Sequence, residues 1–137
     1  MVGVGVDVVE VDRVRRLLAD HPERFVARVF RPEEIRYCAP RANAAECYAA
    51  RFALKEAVMK LLGTGWGDGV GFRDVEAVRQ PSGALRAALH GSATAHARRL
   101  GIGRIHVSVS HTRGLAVAVA VGERDRTPPA EEEEVRA

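Results

Sequence analysis

The sequence predicts an α+β fold in which a mainly antiparallel sheet packs on a long central helix. Three stretches carry this prediction. The chain opens with a β-branched run over residues 2–9, its longest helical pattern covers residues 42–62, and two segments near its carboxyl end alternate by twos. The predicted order of elements is β-α-α-α-β-β-α-β-β, in one domain without internal repeats.

The first third of the chain is predicted to form one strand followed by helices. Residues 2–9, VGVGVDVV, are apolar at nearly every position, which is typical of a strand buried on both faces. A helix follows from about Glu10. A second short helix has Pro22 in its first turn, and a brief repeat of the same pattern ends at Pro40.

Glycine and turn residues mark the boundaries in the rest of the chain. Gly63 and Gly65 end the long helix, and the glycine-rich loop over residues 63–71 allows backbone to approach a ligand closely. FRDVEAVRQ and LRAALHG are predicted to form a hairpin around PSG, and Ser92 is the predicted N-cap of a short helix. RIHVSVSHT and LAVAVAVGE are predicted to form a terminal hairpin around RG.

Charge divides the 137-residue chain into a basic body and an acidic end. Residues 123–137 carry six acidic and three basic side chains, so the net charge of +3 divides into +6 for residues 1–122 and −3 for the tail. We expect residues 1–122 to be the folded domain and the tail to be disordered, with no chemistry of its own. A basic body favours acidic partners: phosphates, nucleic acid or an acidic protein.

Several features argue against whole classes of protein. No apolar run approaches the roughly 20 residues of a membrane span, and the amino terminus does not read as a secretory signal, so we expect no membrane association and a cytoplasmic location. Cys38 and Cys47 lack a CxxC pattern and a neighbouring histidine cluster, which predicts core or surface filler rather than a disulfide or zinc site. Aromatic residues make up only 5% of the chain and do not alternate with the arginines, which disfavours single-stranded nucleic-acid binding.

The long helix carries charges in apolar surroundings. Glu56 and Lys60 lie four residues apart on one stripe, and Arg51 and Lys55 share another. These are the only two lysines, against 19 arginines, so their clustering stands out. The simpler interpretation is i,i+4 ion pairs or solvated stripes. The alternative is a functional site, because an acid desolvated among apolar neighbours needs a compensating partner such as a divalent metal.

Two further polar positions stand at predicted strand ends. Asp7 ends the apolar run VGVGVD and either accepts backbone N–H groups or converges with Glu56. In the second case the two carboxylates form a hard-oxygen site suited to Mg²⁺, which takes one or two carboxylates with water and phosphate oxygens. His111, at the end of HVSVS, is either a surface residue in a turn or a phosphate ligand.

Three motifs together resemble the holo-acyl-carrier-protein synthase family of 4'-phosphopantetheinyl transferases. They are GVGVDVVEVDRV, RFALKEAVMKLLGTG, and HVSVSHT with the following LAVAVAV, and residues 2–121 follow the family's order and length. The resemblance implies the fold of that family. It also implies transfer of phosphopantetheine from coenzyme A to a serine of an acyl carrier protein, with release of 3',5'-ADP and a requirement for Mg²⁺.

The resemblance assigns roles to individual residues. It implies metal ligation by Asp7 and Glu56, with Lys60 at the transferring phosphate, and these three as the catalytic residues. The implied coenzyme A contacts are Arg51, Lys60, Gly63, Gly65, Ser110, His111 and Thr112. Family members with this short chain form homotrimers with active sites between subunits, and Arg13, Arg24 and Arg28 match the family's basic docking surface for the acidic carrier.

One departure and several open points accompany the resemblance. After the first hairpin turn the family usually has Gly-Lys/Arg-Pro, whereas this chain has Ala84-Leu85, which removes a cation and a proline near the coenzyme A entrance. Lys55 receives no role. Glu56 could remove the serine proton directly or through a bound water. Two other functions remain open: a synthase dedicated to polyketide or peptide carriers, and a catalytically idle trimer that binds coenzyme A or the carrier.

Overall fold

The predicted α+β arrangement is present in the computed structural model, which describes residues 2–64 and 69–125. In chain order the elements are β1 (Gly3–Glu10), α1 (Val11–Asp20), α2 (Pro22–Val29), α3 (Pro32–Cys38), α4 (Ala44–Leu61), a 3₁₀ turn (Phe72–Asp74), β2 (Val75–Arg79), β3 (Leu85–Leu89), α5 (Gly91–Arg99), β4 (Ile102–His111) and β5 (Leu115–Arg124). The predicted order lacks one helix. The brief pattern before Pro40 is a helix in its own right, so four helices rather than three separate β1 from β2.

The strand pairs of the described residues are all antiparallel, but they form two sheets rather than one. β5 lies between β1 and β4 in a three-stranded sheet, and β2 and β3 form the predicted hairpin. β3 contacts β4 without pairing to it. Asp7 of β1 and Val109 of β4 both oppose Ala118 of β5, so the two edge strands of the larger sheet flank the same position.

β1 has one buried and one exposed face, so the prediction of burial on both faces is wrong. Asp7 and Val9 are buried, whereas three valines that alternate with them are 57%, 53% and 58% exposed. The exposed side continues onto β5. We call it the apolar face, and its members are Val4, Val6, Val8, Leu115 and Val117. A continuous apolar surface of this kind is typical of a site of interaction with another molecule. Because its residues are apolar, the sequence of β1 resembled that of a strand buried in a core.

α4 packs closely on β1 and β5 because the sheet presents small residues to it. The β5 residues that are fully buried are Ala116, Ala118 and Ala120. A Cβ atom on Gly5 would lie 2.0 Å from the carbonyl oxygen of Ala57, so only glycine permits this approach. Asp7 follows two residues later on the same face of β1 and is therefore held against α4.

Cys38 and Cys47 form a disulfide, so the prediction against one is wrong. Cys38 ends α3 and Cys47 lies in the first turn of α4. The short connection between the helices brings the two Cα atoms to 5.5 Å, within the range that a disulfide spans. Sequence spacing gave no sign of this pairing because it depends on how the two helices are oriented.

Ser92 is not the N-cap of α5, because His90 occupies that position and the helix begins at Gly91. The Ser92 hydroxyl instead lies 2.8 Å from the carbonyl oxygen of Gly69 and 3.0 Å from the Asp74 carboxylate. It thereby ties α5 to the end of the glycine-rich loop.

The carboxyl end of the domain extends slightly further than its predicted boundary. β5 continues to Arg124, two residues into the segment assigned to the tail. Residues 126–137 and Gly65 lie outside the described residues. Within the described part of the chain, no helix is long and apolar enough to cross a membrane.

Candidate active site

Asp7, Glu56 and Lys60 come together where α4 packs on β1. The Lys60 Nζ atom lies 2.7 Å from Asp7 Oδ1 and also donates to the carbonyl oxygen of Val6 at 3.1 Å. Asp7 is only 7% exposed, and its Oδ2 atom is buried with no hydrogen-bond partner among the described residues. Glu56 lies near enough to donate a hydrogen bond to Asp7 when it is protonated.

The surroundings of Glu56 raise its pKa from 4.5 to about 7. Burial is the largest cause, followed by the hydrogen bond to Asp7 and the negative charge of Asp7. The positive charges of Arg13 and Lys60 act in the opposite direction. We call Asp7 and Glu56 the carboxylate pair. A buried Asp7 oxygen without a donor, beside a second carboxylate, forms an arrangement that a cation stabilises.

The carboxylate pair fits Mg²⁺ better than a metal held by protein ligands alone. Among residues 2–64 and 69–125 there is no group of three or more His, Cys, Asp or Glu side chains that could hold a metal ion. A cation at the pair would therefore complete its coordination with water and phosphate oxygens. Mg²⁺ commonly binds in this way, through one or two carboxylates and the phosphates of a substrate.

The two lysines of α4 pair with other elements, so the interpretation as i,i+4 ion pairs is wrong for both. A solvated position is wrong for Lys55, which is fully buried, whereas the Lys60 side chain is 56% exposed. Lys60 pairs with β1, as described above. Lys55 Nζ lies 2.9 Å from Glu34 Oε1 on α3, and both side chains are fully buried. Lys55 also donates to the carbonyl oxygens of Phe72 and Val75. Lys55, to which no role was assigned from sequence, therefore joins α4 to α3 and to the start of β2.

A cavity of about 240 Å³ lies on the other side of α4. Arg51 and Glu56 are five residues apart on this helix, so their side chains point about 140° apart. Arg51 and His111, both expected from the family resemblance to contact coenzyme A, line the cavity together. His111 stands at the end of β4, with its Nδ1 atom 3.4 Å from Glu46 Oε1.

Sequence reasoning missed three residues that line the same cavity: Tyr37, Arg41 and Arg79. They come from α3, from the connection to α4 and from the end of β2. No periodicity links three such segments, so the sequence carried no signal for their convergence. We call Arg41, Arg51 and Arg79 the arginine cluster, because all three guanidinium groups lie over the Tyr37 ring.

Three of the remaining predicted coenzyme A contacts, Gly63, Ser110 and Thr112, do not line the cavity. Thr112 Oγ1 accepts the N–H groups of Gly114 and Leu115 and so shapes the hairpin turn beside His111. Ser110 is exposed on the face of β4 opposite to that of Val109, which lines the cavity. Gly63 has a φ of +70° and follows Leu62, the C-cap of α4, so it ends this helix as predicted.

The three arginines predicted to dock a carrier are exposed. Arg24 and Arg28 lie one turn apart on α2 and therefore share a face. Arg13 lies on α1, close enough to Glu56 for its charge to act on that carboxyl group. A basic surface therefore begins beside the carboxylate pair.

Comparison with known proteins identifies the family. The profile of the 4'-phosphopantetheinyl transferase superfamily matches residues 3–120. The chain belongs to this superfamily. A holo-[acyl-carrier-protein] synthase of Koribacter versatilis is 46% identical over 121 residues, which cover 88% of this chain and 97% of the relative. The protein is thus an enzyme of the phosphopantetheinyl transferase class, as the sequence predicted.

Solved structures of phosphopantetheinyl transferases share the fold. The holo-[acyl-carrier-protein] synthase from Neisseria meningitidis aligns with a TM-score of 0.82 at 28% identity and covers 90% of this chain and 99% of its own. The enzyme from Helicobacter pylori, in complex with coenzyme A, aligns with a TM-score of 0.76 at 29% identity and covers 88% and 99%. These comparisons confirm the predicted fold class.

Proposed function

We propose that this transferase moves 4'-phosphopantetheine from coenzyme A to a serine hydroxyl of an apo acyl carrier protein, releases 3',5'-ADP and requires Mg²⁺. The observation that carries the proposal is the buried, unpartnered Asp7 Oδ2 beside Glu56, with Lys60 at 2.7 Å from the other Asp7 oxygen. This is an arrangement suited to a cation and a polyphosphate. The reaction also implies a cytoplasmic location, where coenzyme A and carrier proteins meet.

Asp7 and Glu56 are the residues that would hold Mg²⁺. When bound, the ion would neutralise charge on the pyrophosphate of coenzyme A. The support for its binding is the chemistry of the pair: two hard-oxygen ligands, one with an orphaned oxygen and one with a pKa raised to about 7.

The side chains around the pair position the reacting groups. In the transfer, the serine oxygen bonds to the phosphorus that carries pantetheine, and the bond to the bridging oxygen breaks, so that oxygen leaves with 3',5'-ADP. Lys60 keeps its charge because its hydrogen bond to Asp7 raises its pKa, and its ammonium group stabilises the phosphate charge that develops. Glu56 accepts the serine proton directly or through a water molecule.

The cavity is assigned to the nucleotide end of coenzyme A. Arg51 and His111 supply the cationic and hydrogen-bonding groups there, and Thr112 supports His111 through the turn that it shapes. Gly63 and Gly65 would let backbone approach the pantetheine or phosphate. Ser110, which lies on the other face of β4, would act only if a neighbouring subunit contributes to the site.

We further propose a homotrimer with active sites between subunits. The carboxylate pair lies at the β1 edge of the larger sheet, whereas His111 lies at its β4 edge, and Glu56 and Arg51 point to different sides of α4. One subunit therefore presents two separate parts of the proposed active site, and each part is incomplete by itself. The apolar face, on β1 and β5, supplies the surface that a neighbouring copy would cover.

Subunit complementation tests the shared site. Asp7→Asn and Arg51→Ala variants, each inactive alone, are co-expressed with different tags, and mixed oligomers are purified through both tags. In a cyclic trimer, about one third of the sites then combine an intact carboxylate pair with an intact Arg51, so activity returns. Doubly tagged oligomers that stay inactive would contradict a site shared between subunits.

Carrier docking is assigned to Arg13, Arg24 and Arg28. An acidic carrier helix on these residues would present its serine close to the carboxylate pair, because Arg13 already acts on Glu56. Arg24→Glu should raise the KM for the carrier in a salt-dependent way and leave the affinity for coenzyme A unchanged. An equal loss for both substrates would contradict this docking surface.

The transfer itself is tested by mass spectrometry. The protein is incubated with coenzyme A, Mg²⁺ and several apo carrier proteins, and each carrier is weighed. We expect at least one carrier to gain a single phosphopantetheine group, and the identity of that carrier distinguishes a general synthase from one dedicated to polyketide or peptide carriers. No gain on any carrier would refute the proposed function.

A further inference from the structure

The Tyr37 ring is surrounded by three guanidinium groups. The Cζ atoms of Arg41, Arg51 and Arg79 lie 4.0, 4.7 and 5.1 Å from the ring centroid. These distances fall within the range of cation–π attraction. The ring of Tyr37 is therefore in contact with guanidinium groups from three separate segments of the fold.

Placing three like charges together is unfavourable without an anion. None of the three guanidinium groups forms a salt bridge with a described residue. Arg51 is only 5% exposed, and its hydrogen bonds to described residues run from Nη1 to the carbonyl oxygen and Sγ of Cys47. Burial is the main cause of the lowered pKa of Arg51; Tyr37 and Glu34 act against it, and the charges of Arg41 and Arg79 add to it. Arg51 is thus buried at the cavity, and the exposed side chains of Arg41 and Arg79 line the same cavity beside it.

Arg79 stands where the family resemblance led us to expect a cation. The family usually has Lys or Arg directly after the glycine of this hairpin, and this chain has Ala84 there. Arg79 ends the preceding strand, and its Nη2 atom lies 3.8 Å from the position that a Cβ on Gly83 would take. The guanidinium group of Arg79 therefore lies over the turn from which the expected cation is missing.

We propose that Tyr37 is a positioning residue, whose ring gathers the arginine cluster to bind a phosphate monoester dianion of the coenzyme A nucleotide, with Arg79 in place of the turn cation. The inference rests on the proposed function, because it takes coenzyme A as the ligand of the cavity. It predicts that the ring, and not the hydroxyl, is what matters. It also predicts that the effect concerns only ligands that carry the 3'-phosphate monoester.

Calorimetric titration with coenzyme A and with dephospho-coenzyme A, which lacks that monoester, tests the proposal. Tyr37→Leu should weaken coenzyme A binding about tenfold, while Tyr37→Phe, which keeps the ring, should stay within about twofold of the unchanged protein. Both variants should bind dephospho-coenzyme A as the unchanged protein does. Equal weakening for the two ligands, or loss in Tyr37→Phe as well, would show a structural or hydroxyl role and overturn the proposal.

A second pair of variants separates Arg79 from general charge effects. Arg79→Ala should weaken coenzyme A binding about tenfold, whereas Arg86→Ala, an exposed arginine on the partner strand that does not line the cavity, should change it less than about twofold. Equal effects of the two substitutions would overturn the role of Arg79. Failure of the unchanged protein to bind either coenzyme would instead refute the proposed function, and the positioning role with it.

Discussion

Lys55→Met and Lys60→Met form a matched pair of substitutions, because these are the only two lysines of the chain and each pairs with one carboxylate. Both lie on α4, five residues apart. The Lys55 side chain is fully buried, whereas that of Lys60 is 56% exposed. We expect Lys55→Met to affect mainly stability and Lys60→Met to affect mainly catalysis.

The magnitude for Lys55 follows from its contacts. Its ammonium group lies 2.9 Å from Glu34 Oε1 and donates to two backbone carbonyls. Removing one partner of such a buried pair leaves an uncompensated charge and costs about 3–5 kcal/mol. The remaining Glu34 carboxylate keeps the N–H groups of Arg31 and Ala77, so the lower half of this range applies.

The magnitude for Lys60 is smaller because water replaces an exposed ammonium group. We expect Lys60→Met to lower the free energy of unfolding by about 1–2 kcal/mol, chiefly through the Asp7 oxygen that loses its donor. Its kcat should fall by at least about 100-fold, since the substitution removes the cation that we propose to lie at the transferring phosphate.

Urea unfolding and carrier modification measure the two effects on the same samples. A double-mutant cycle with Glu34→Gln isolates the buried pair, and the Lys55→Met/Glu34→Gln protein should be more stable than additivity predicts by about 2 kcal/mol. Additive losses would refute the pairing of Lys55 with Glu34. A loss of kcat in folded Lys55→Met as large as in Lys60→Met would refute the division of roles.

Separate substitutions test the packing, the disulfide, the titration and the apolar face. Gly5→Ala should lower stability by at least about 2 kcal/mol, seen as a fall in Tm, because its Cβ would strike the Ala57 carbonyl. Reduction of the Cys38–Cys47 disulfide should cost about 2–3 kcal/mol and lower the Tm of the unchanged protein. Burial and Asp7 raise the pKa of Glu56 to about 7, so this group stabilises the metal-free protein fully below pH 4.5, and the contribution should be lost as pH rises through about 7. Urea unfolding at each pH would measure this loss. Val6→Lys should convert the proposed trimer to monomers in light scattering.

Each of these predictions has a contradicting result. A Gly5→Ala protein with unchanged Tm would show that β1 and α4 are less closely packed. A reductant that shifts the Tm of Cys38→Ala/Cys47→Ala as much as that of the unchanged protein would contradict the disulfide. The Glu56→Gln protein should lack the fall in stability near pH 7, and an identical fall in both proteins would contradict the Glu56 assignment. A Val6→Lys trimer would exclude the apolar face as the interface.

The sequence predicted those parts of the fold that depend on local pattern. The two hairpins, the long helix and its end at Gly63 are all where turn residues and periodicity placed them. The prediction failed for β1. A strand with apolar residues on both faces has the sequence pattern of a core strand, whether its second face is covered within one chain or by another molecule. The prediction also failed for the disulfide, because the spacing of Cys38 and Cys47 does not reveal the turn that joins their helices.

The candidate site divides in the same way. Asp7 and Glu56 were selected because carboxylates in apolar runs are unusual, and Lys60 because the only two lysines cluster on one helix. The structure brings the three residues together. Lys55 looked equivalent to Lys60 in the sequence, and only burial and the partner on α3 distinguish them. The convergence of Tyr37 with Arg41 and Arg79 depends entirely on tertiary packing, so no pattern in the sequence predicted it.

The dependence of carrier modification on Mg²⁺ tests the central claim most directly, namely that the carboxylate pair and its cation carry the transfer. Initial rates are measured by mass spectrometry over a range of Mg²⁺ concentrations for the unchanged protein, Glu56→Gln and Asp7→Asn, with coenzyme A binding and folding checked in each. We expect a saturable requirement for Mg²⁺ in the unchanged protein and a loss of at least about 100-fold in both variants. Full activity without Mg²⁺, or an unchanged Mg²⁺ response in both variants, would contradict the claim.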